Sequence, residues 1–312
     1  MKSRLARWGT WLGIALLALL ATLTVAAGAY DLATPGGRPP RDLYAGPFVR
    51  VDGRLLAYRR WGAHGSPVLL IAGFIEPGDV WRKVGPLLAK AGHRVYALDL
   101  PPFGYSERKG PYDLTAWLGE VEGFERALGI SRPVLVGHSL GAATVVGEAL
   151  RHPQSLRGIV LLDGDALRDG GLPGWAGHLA LDPWFTALYR IVTGWDYLFR
   201  RGLHQAYGPN GPPITHAEIE RWERPFTVAG TAQAFKEMLP KGIAGWTEAD
   251  LRRVHGVPIV VVWGALDTVD SVAAGRRSAR LLHAPFVLVP HAGHLSMLVA
   301  PQQVASAIER IR

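Results

Sequence analysis

The 312-residue sequence contains no cysteine. This absence excludes a disulfide, a thiol nucleophile and a thiolate metal site, and it leaves the redox state of the compartment open. The sequence also lacks runs of like charge, because its 34 Lys and Arg residues, which give a net charge of +8, are scattered singly or in pairs. Such a pattern is typical of a solvated surface and does not indicate a nucleic-acid partner. No internal repeat or low-complexity tract is present.

Charge is also missing from one long segment near the N-terminus. Residues 11–29 read WLGIALLALLATLTVAAGA, which as a helix is about long enough to cross a hydrocarbon core of roughly 30 Å. Lys2, Arg4 and Arg7 precede this segment. Since basic flanks tend to stay in the cytoplasm, we expect everything after residue 30 to be exported.

The role of residues 1–30 has two interpretations. An uncleaved signal anchor would give a single-pass membrane protein with the rest of the chain on the exported side. The small residues Ala27, Gly28 and Ala29 also suit a signal-peptidase site, and cleavage there would release a secreted or periplasmic protein. The long apolar run favours the anchor. A Pro- and Gly-rich linker is predicted next, over residues 31–46.

Alternating strand and helix patterns follow residue 47. Hydrophobic residues make up 48% of the chain and charged residues 19%, a composition that permits a packed core. Short runs rich in β-branched residues predict strands at 54–60, 68–72, 94–98, 133–136, 158–162, 259–263 and 286–289. Helices are predicted at 80–91, 114–128, 141–152, 272–282 and 302–311. This alternation predicts an α/β fold with a mostly parallel sheet.

The alternation stops between residues 166 and 250, which separate a first core segment, 47–165, from a second, 251–312. We expect a helical cap, or lid, in this interval. It holds five of the eleven tryptophans, which either line a pocket or pack between helices. These are Trp175, Trp184, Trp195, Trp222 and Trp246.

A G-x-S-x-G motif, Gly137-His138-Ser139-Leu140-Gly141, lies between a predicted strand and a predicted helix. A turn this tight needs glycine on both sides, and it exposes the serine hydroxyl at the start of the helix. Both the position and the chemistry indicate that Ser139 is a nucleophile.

A serine nucleophile needs a base, and the base needs a carboxylate that orients it. Asp267 follows the strand predicted at 259–263, and two histidines, His291 and His294, follow the strand predicted at 286–289. Asp270 is a second carboxylate in the same loop, although its position suits a helix N-cap. The order along the chain is therefore Ser, Asp, His.

From about residue 47 to 312 the chain resembles the α/β-hydrolase superfamily. The resemblance rests on the motif around Ser139, on Asp267 in GALD and on His294 in HAGHLSM, in the family's order. It implies an eight-stranded, mostly parallel sheet with helices on both faces and a helical cap. It also implies that Ser139, Asp267 and His294 are catalytic, with His291 an ordinary loop residue.

The oxyanion hole of this family uses two backbone N–H groups. The resemblance assigns them to Leu140 and to Phe74, the latter in Ala72-Gly73-Phe74, where Ala72 replaces a usual histidine. In a second loop, Leu100 replaces a usual arginine, and we expect a structural role for it.

Other polar residues have less specific interpretations. We expect Asp163 and Asp165 to form turns or caps rather than a metal site, and we predict no metal and no cofactor. His138 is expected to form local hydrogen bonds. A solvated loop is expected for Glu76 and Asp79, with contact to substrate as the alternative.

These features predict a serine hydrolase that cleaves an ester or related acyl bond of a small apolar substrate through an acyl-enzyme, as carboxylic ester hydrolases do. Carbon–carbon bond hydrolases, amidases, lactonases and cofactor-free haloperoxidases of the family use the same triad and remain alternatives. A serine at position 139 argues against haloalkane-dehalogenase and epoxide-hydrolase chemistry, which uses a carboxylate nucleophile. A non-catalytic binding protein is the alternative from another class. The sequence does not predict the oligomeric state.

Overall fold

The computed structural model of the chain describes residues 2–33, 36–168, 184–242 and 244–311. Within these residues an eight-stranded sheet has the order β1-β2-β4-β3-β5-β6-β7-β8. Strands β1 and β2 are antiparallel to their neighbours, and β3 to β8 are parallel. The strands are β1 Phe48–Val51, β2 Arg54–Trp61, β3 Pro67–Ile71, β4 Arg94–Leu98, β5 Val134–His138, β6 Gly158–Leu162, β7 Ile259–Gly264 and β8 Phe286–Val289.

The helices of the described residues cover both faces of this sheet. They are α1 Lys2–Ala33, α2 Pro40–Leu43, α3 Val84–Lys90, α4 Leu114–Leu128, α5 Gly141–Arg151, α6 Trp184–Thr193, α7 Asp196–Tyr207, α8 His216–Glu223, α9 Thr231–Met238, α10 Glu248–Arg252, α11 Val272–Leu281, α12 Ser296–Val299 and α13 Pro301–Ile308. One hydrophobic cluster joins the sheet to α4, α5 and α11, and a second joins the other face to α3, α12 and α13. Because both faces are covered, β3, β5 and β6 are buried along their whole length.

The predicted fold class and all seven predicted strands are confirmed. The eighth strand is β1, which the apolar pattern missed and the resemblance implied. It has only four residues, lies at the sheet edge and alternates little in burial, so it carries no clear apolar run. Helix α4 matches its prediction at both ends because Asp113 caps its first turn and Gly129 terminates it.

The residues before β1 are more ordered than a linker. Helix α1 continues to Ala33, and α2 forms at Pro40–Leu43. Between them, the Arg38 N–H donates to Thr227 O at 2.9 Å, and Arg38 O accepts from the Ala229 N–H at 2.9 Å. The predicted linker at 31–46 therefore packs along the segment between β6 and β7.

That segment contains helices α6 to α10, and no strand is found in its described part. Its pairing is limited to isolated bridges, Leu167 with Trp246 and Arg38 with Val228. The helical character expected for residues 166–250 is thus present in the described part. Residues 169–183, including Trp175, lie outside the described residues.

Helix α5 carries a buried acid, Glu148, which gives a test of stability against pH. One carboxyl oxygen of Glu148 is buried without a hydrogen-bond partner, and burial, helped by Glu122 and Glu125, raises the pKa of Glu148 to about 8. The Glu148 carboxyl therefore stays protonated in the folded protein up to about pH 8, whereas in the unfolded chain it ionises near pH 4.5. Because of this difference, the free energy of unfolding falls as pH rises from about 4.5 to about 8.

We expect Glu148→Gln to stabilise the full-length protein by about 1–3 kcal/mol at pH 8 and by much less at pH 5. Urea unfolding in detergent at both pH values measures this difference. The exposed Glu220→Gln is the control. An equal effect of Glu148→Gln at both pH values would contradict the assignment.

Candidate active site

Ser139 occupies a sharp turn between β5 and α5. Its φ of 48° lies in the left-handed region, which costs a non-glycine residue free energy and is found at functional sites. A Cβ at Gly137 would lie 2.2 Å from Gly141 O, so the strand can approach the helix this closely only with glycine at position 137. The motif therefore forms the strand–turn–helix geometry that its residues predicted.

The loop after β6 also encloses Ser139. A Cβ built on Gly164 would lie 2.3 Å from Ser139 O, and the Ser139 N–H donates to Leu162 O at 2.9 Å. Nothing in the sequence singled out Gly164, because its role depends on contact with a residue 25 positions earlier.

His294 and Asp267 form a buried pair at the carboxyl edge of the sheet. His294 Nδ1 lies 2.8 Å from Asp267 Oδ2, and the two residues are 6% and 9% exposed. Asp267 Oδ1 accepts the N–H groups of Val269, at 2.8 Å, and Asp270, at 3.0 Å. The carboxylate is thus held in a loop turn while it orients the imidazole.

Ser139, Asp267 and His294 follow β5, β7 and β8, whose carboxyl ends lie at one edge of the sheet. Among the described residues, Ser139 Oγ makes no hydrogen bond to His294. Such bonds are often long without substrate.

The two rival side chains do not form this pair. His291 is exposed, with a φ of 63°, and its carbonyl accepts from Asn210. Asp270 accepts the Ser271 N–H at 2.7 Å, and burial raises its pKa to about 6. The N-cap of α11 is Ser271 rather than Asp270, which corrects that interpretation by one residue.

The predicted oxyanion donors lie on the two loops next to Ser139. Leu140 precedes α5, and Phe74 follows β3. Among the described residues, neither backbone N–H donates to a protein acceptor. The neighbouring Gly73 N–H donates to Glu76 Oε2 at 2.8 Å, which fixes the turn after β3.

Glu76 is buried, not solvated as expected, because it faces His138. His138 Nδ1 lies 2.8 Å from Glu76 Oε2, and His138 Nε2 lies 2.8 Å from the backbone oxygen of His294. Both partners are acceptors, so both ring nitrogens of His138 carry a proton and the ring is an imidazolium. Burial alone would lower the pKa of His138, but the Glu76 carboxylate outweighs burial and raises that pKa.

This imidazolium connects three loops of the site. Its Nδ1 contact with Glu76 links it to the turn that carries Phe74, and its Nε2 contact holds the loop of His294. His138 also directly precedes Ser139 in the chain. Sequence reasoning expected only local hydrogen bonds for His138, but its partners are 62 and 156 residues away.

Asp163 is likewise buried rather than a turn former at the surface. Its Oδ1 accepts the Gly264 N–H at 2.6 Å, and its Oδ2 accepts from the Ser296 hydroxyl. Burial raises the pKa of Asp163 to about 8. The side chain therefore ties the ends of β6 and β7 to the segment after His294.

Phenylalanine and tyrosine side chains form an aromatic cluster around Phe74, which directly follows Gly73, where an added Cβ would lie 2.9 Å from Ser139 Cβ. The Phe74 ring centroid lies 5.6 Å from that of Phe103 and 6.1 Å from that of Phe235. Phe235 lies 5.8 Å from both Phe226 and Tyr189. These apolar side chains suit a hydrocarbon chain beside a small polar centre.

The described tryptophans of residues 166–250 have different surroundings. Trp222 is buried and donates to Glu218, Trp246 donates to Ala143 O at 2.7 Å, Trp184 is partly buried and Trp195 is 53% exposed. The helix-packing interpretation therefore holds for Trp222 and Trp246.

The other residues that the sequence singled out have contacts in the folded chain that can now be described. Asp79 forms ion pairs with Arg59, Arg82 and Arg221. Leu100 is buried in the core, as expected. Among the described residues, no group of three or more His, Cys, Asp or Glu side chains is arranged to hold a metal ion.

Known proteins resemble this chain over most of its length. An uncharacterized hydrolase, YugF, of Bacillus subtilis (strain 168) is 27% identical over 268 residues, or 83% of this chain and 94% of that protein. Epoxide hydrolase A of Mycobacterium tuberculosis (strain ATCC 25618 / H37Rv) is 34% identical over 310 residues, or 84% of this chain and 95% of that protein.

Solved structures extend the likeness to the N-terminal helix. A membrane phospholipase A, described as a bacterial virulence factor, is 25% identical with a TM-score of 0.68, covering 100% of this chain and 98% of that chain. A family model for the alpha/beta hydrolase fold matches residues 66–301. With its sheet order and the loops that carry Ser139, Asp267 and His294, this chain belongs to the α/β-hydrolase fold family and is a hydrolase.

Proposed function

We propose that the protein is a membrane-anchored serine esterase that hydrolyses a carboxylic ester with an apolar acyl group. The observation that carries the proposal is the buried His294–Asp267 pair, with its 2.8 Å hydrogen bond, at the same sheet edge as the strained turn of Ser139. Such a pair converts a serine hydroxyl into a nucleophile.

In the first half of the proposed reaction, Ser139 Oγ attacks the carbonyl carbon while His294 Nε2 accepts the hydroxyl proton. Asp267 stabilises the imidazolium that forms. The negative charge on the carbonyl oxygen is met by the N–H groups of Phe74 and Leu140. The carbon–oxygen bond of the ester then breaks, and His294 gives its proton to the departing alcohol.

In the second half, water attacks the acyl-enzyme. His294 takes a proton from this water and returns it to Ser139 Oγ as the acid leaves. Apart from the attacking water, every catalytic group in these reaction steps belongs to the chain, so the proposal includes no cofactor or metal.

Two observations favour an ester with an apolar acyl group. The aromatic cluster of Phe74, Phe103 and Phe235 is joined to the turn after β3, where Gly73 contacts Ser139. The chain is also similar over its whole length to a membrane phospholipase A, and its Trp11–Ala33 segment is long and apolar enough to cross a membrane. We therefore propose that α1 anchors the catalytic domain on the exported side.

The similarity to an epoxide hydrolase does not favour epoxide opening here. Attack of Ser139 Oγ on an epoxide would form an ether, which water does not cleave in a second step. Attack on an ester forms a new ester, which water does cleave. The serine at position 139 therefore favours acyl chemistry.

Labelling with a fluorophosphonate probe tests the proposal on the full-length protein in detergent. We expect one covalent adduct on the wild type, located by mass spectrometry on Ser139, and none on Ser139→Ala. If a folded wild type did not label, a non-catalytic binding protein would become the better description. Equal labelling of Ser139→Ala would place the nucleophile on another residue and overturn the role of Ser139.

A further inference from the structure

Helix α6, between β6 and β7, presents a stripe of large apolar side chains to the outside. Leu188 is 60% exposed, Ile191 54%, Val192 40% and Trp195, just after the helix, 53%. Their spacing of i, i+3, i+4 and i+7 places them on one side. A soluble surface rarely presents such a contiguous apolar stripe to water.

The inner side of α6 contacts the candidate active site. Tyr189 lies 5.8 Å from Phe235 between ring centroids, and its hydroxyl donates to Phe226 O at 3.2 Å. Phe235 in turn packs on Phe74, 6.1 Å away. One helix therefore separates the aromatic cluster around Phe74 from the apolar stripe outside.

A third side of α6 packs against α1. Ala27 is buried on α1, and Thr24, Gly28 and Asp31 of the same side are partly buried. Arg190 of α6 donates to Asp31 O at 3.0 Å and pairs with the Asp31 carboxylate at 3.4 Å. The contact is thus specific as well as apolar.

The position of this contact along α1 determines its depth in a membrane. The apolar span Trp11–Ala33 has 23 residues, or about 35 Å of helix, against a hydrocarbon core of about 30 Å. Ala27 lies only about 9 Å before the end of this span. If α1 crosses a bilayer, α6 lies at the depth of the leaflet next to the catalytic domain.

We propose that the outer stripe of α6 is embedded in that leaflet, and that the aromatic cluster receives the acyl chain of a membrane lipid ester directly from it. The proposal rests on the membrane anchor of the proposed function. Trp195 at the end of the stripe and Tyr197 just after it are 53% and 56% exposed, and both are residue types that favour the membrane–water interface. The stripe and the residues next to it therefore favour contact with a lipid bilayer over contact with water.

Single-cysteine fluorophores test this arrangement cleanly because the chain has no cysteine. An NBD probe is attached to Ile191→Cys, to Leu17→Cys in the middle of α1 and to Leu288→Cys on the exposed side of β8, each in the full-length protein. The variants are reconstituted into phosphatidylcholine–phosphatidylglycerol vesicles that contain acyl-chain-brominated lipid. We expect bromolipid to quench the probes at positions 17 and 191, and aqueous iodide to quench the probe at 288.

The alternatives give distinct patterns. Quenching by lipid at position 17 but by iodide at 191 would overturn the inference while leaving the anchor intact. Lipid contact at neither position would overturn both. A probe at 191 shielded from both quenchers would indicate a second copy of the chain over the stripe, which also overturns the inference.

Activity gives an independent readout. We expect Ile191→Asn/Val192→Asn to lower hydrolysis of phospholipid vesicles by about tenfold or more, with hydrolysis of soluble p-nitrophenyl butyrate within about twofold of the wild type. Leu288→Asn is the matched control and should change neither rate. Equal loss on both substrates would overturn the inference, and retained fluorophosphonate labelling would show that the serine chemistry itself is intact.

Discussion

Replacing His294 with alanine is expected to lower kcat for a p-nitrophenyl ester at pH 7.5 by on the order of 10⁴-fold or more. His294 pairs with Asp267 at 2.8 Å, and no other described histidine pairs with that carboxylate. Without the imidazole, the Ser139 hydroxyl keeps its proton and attacks slowly. Steady-state kinetics on the full-length protein in detergent measure the loss.

The same loop provides the matched control. His291 lies three residues earlier and is exposed, so His291→Ala should keep kcat within about threefold, as surface substitutions away from a site usually do. Loss of turnover in His291→Ala with turnover retained in His294→Ala would reverse the assignment of the base.

Asp270, in the same loop, provides the matched control for Asp267. Asp267→Asn should lower kcat by on the order of 10³–10⁴-fold, because an amide favours the wrong tautomer of His294. Asp270→Asn should have little effect, since the Asp270 carboxylate accepts from Ser271 rather than from the histidine. Similar losses in the two variants would contradict the role proposed for Asp267.

The second large effect is expected from Glu76→Gln, through His138. In the wild type the His138 imidazolium donates to both Glu76 and His294 O, each at 2.8 Å. Burial alone would lower the pKa of His138, but the charge of Glu76 raises it, so both bonds are complete below the ordinary pKa near 6.5 and one of them is lost only as pH rises through the raised value. The amide removes that charge, and burial then lowers the pKa.

A neutral His138 can donate only one hydrogen bond, so one of its two acceptors loses its partner. At pH 8 we expect kcat of Glu76→Gln to be about 10–100-fold below that of the wild type, from the loss of a buried hydrogen bond that positions the His294 loop. As pH falls and His138 of the variant regains its proton, the ratio of the two rates should rise towards one.

The pH dependence of this ratio of rates distinguishes a role of His138 in positioning the His294 loop from a purely structural role. Asp163, 4.0 Å from His138 Nε2, and Asp267 are the other acids near this ring, and neither is changed. Asp79→Asn, three residues from Glu76 and in ion pairs with arginines, is the control. A ratio that stays constant from pH 5.5 to 8, with similar unfolding temperatures, would leave His138 a purely structural role.

Local patterns were sufficient for much of the molecule. The runs at β3, β5 and β6 are apolar throughout because helices cover both faces of the sheet. The turn at Ser139 could be predicted because its glycines are neighbours in the chain. Short edge strand β1 could not, since four residues with mixed burial carry no period.

The partners of buried polar groups required the folded chain. Glu76 had the sequence context of a solvated loop, and Asp163 that of a turn, yet both are buried because of residues far away in sequence. Asp163 bonds to Gly264 and Ser296, which are 101 and 133 positions away. The aromatic cluster also required the folded chain, because Phe74, Phe103 and Phe235 are far apart in sequence.

The sequence by itself determined the order of strands and helices along the chain, the apolar N-terminal segment, the turn at Ser139 and the positions of the acid and histidine loops after their strands, because each depends on residues within a few positions. Only the tertiary structure decided which histidine meets Asp267, that His138 is a doubly bonded imidazolium, and that α6 lies between the aromatic cluster and α1. Those features arise where distant loops meet at one edge of the sheet, and burial there assigns each polar group its partner.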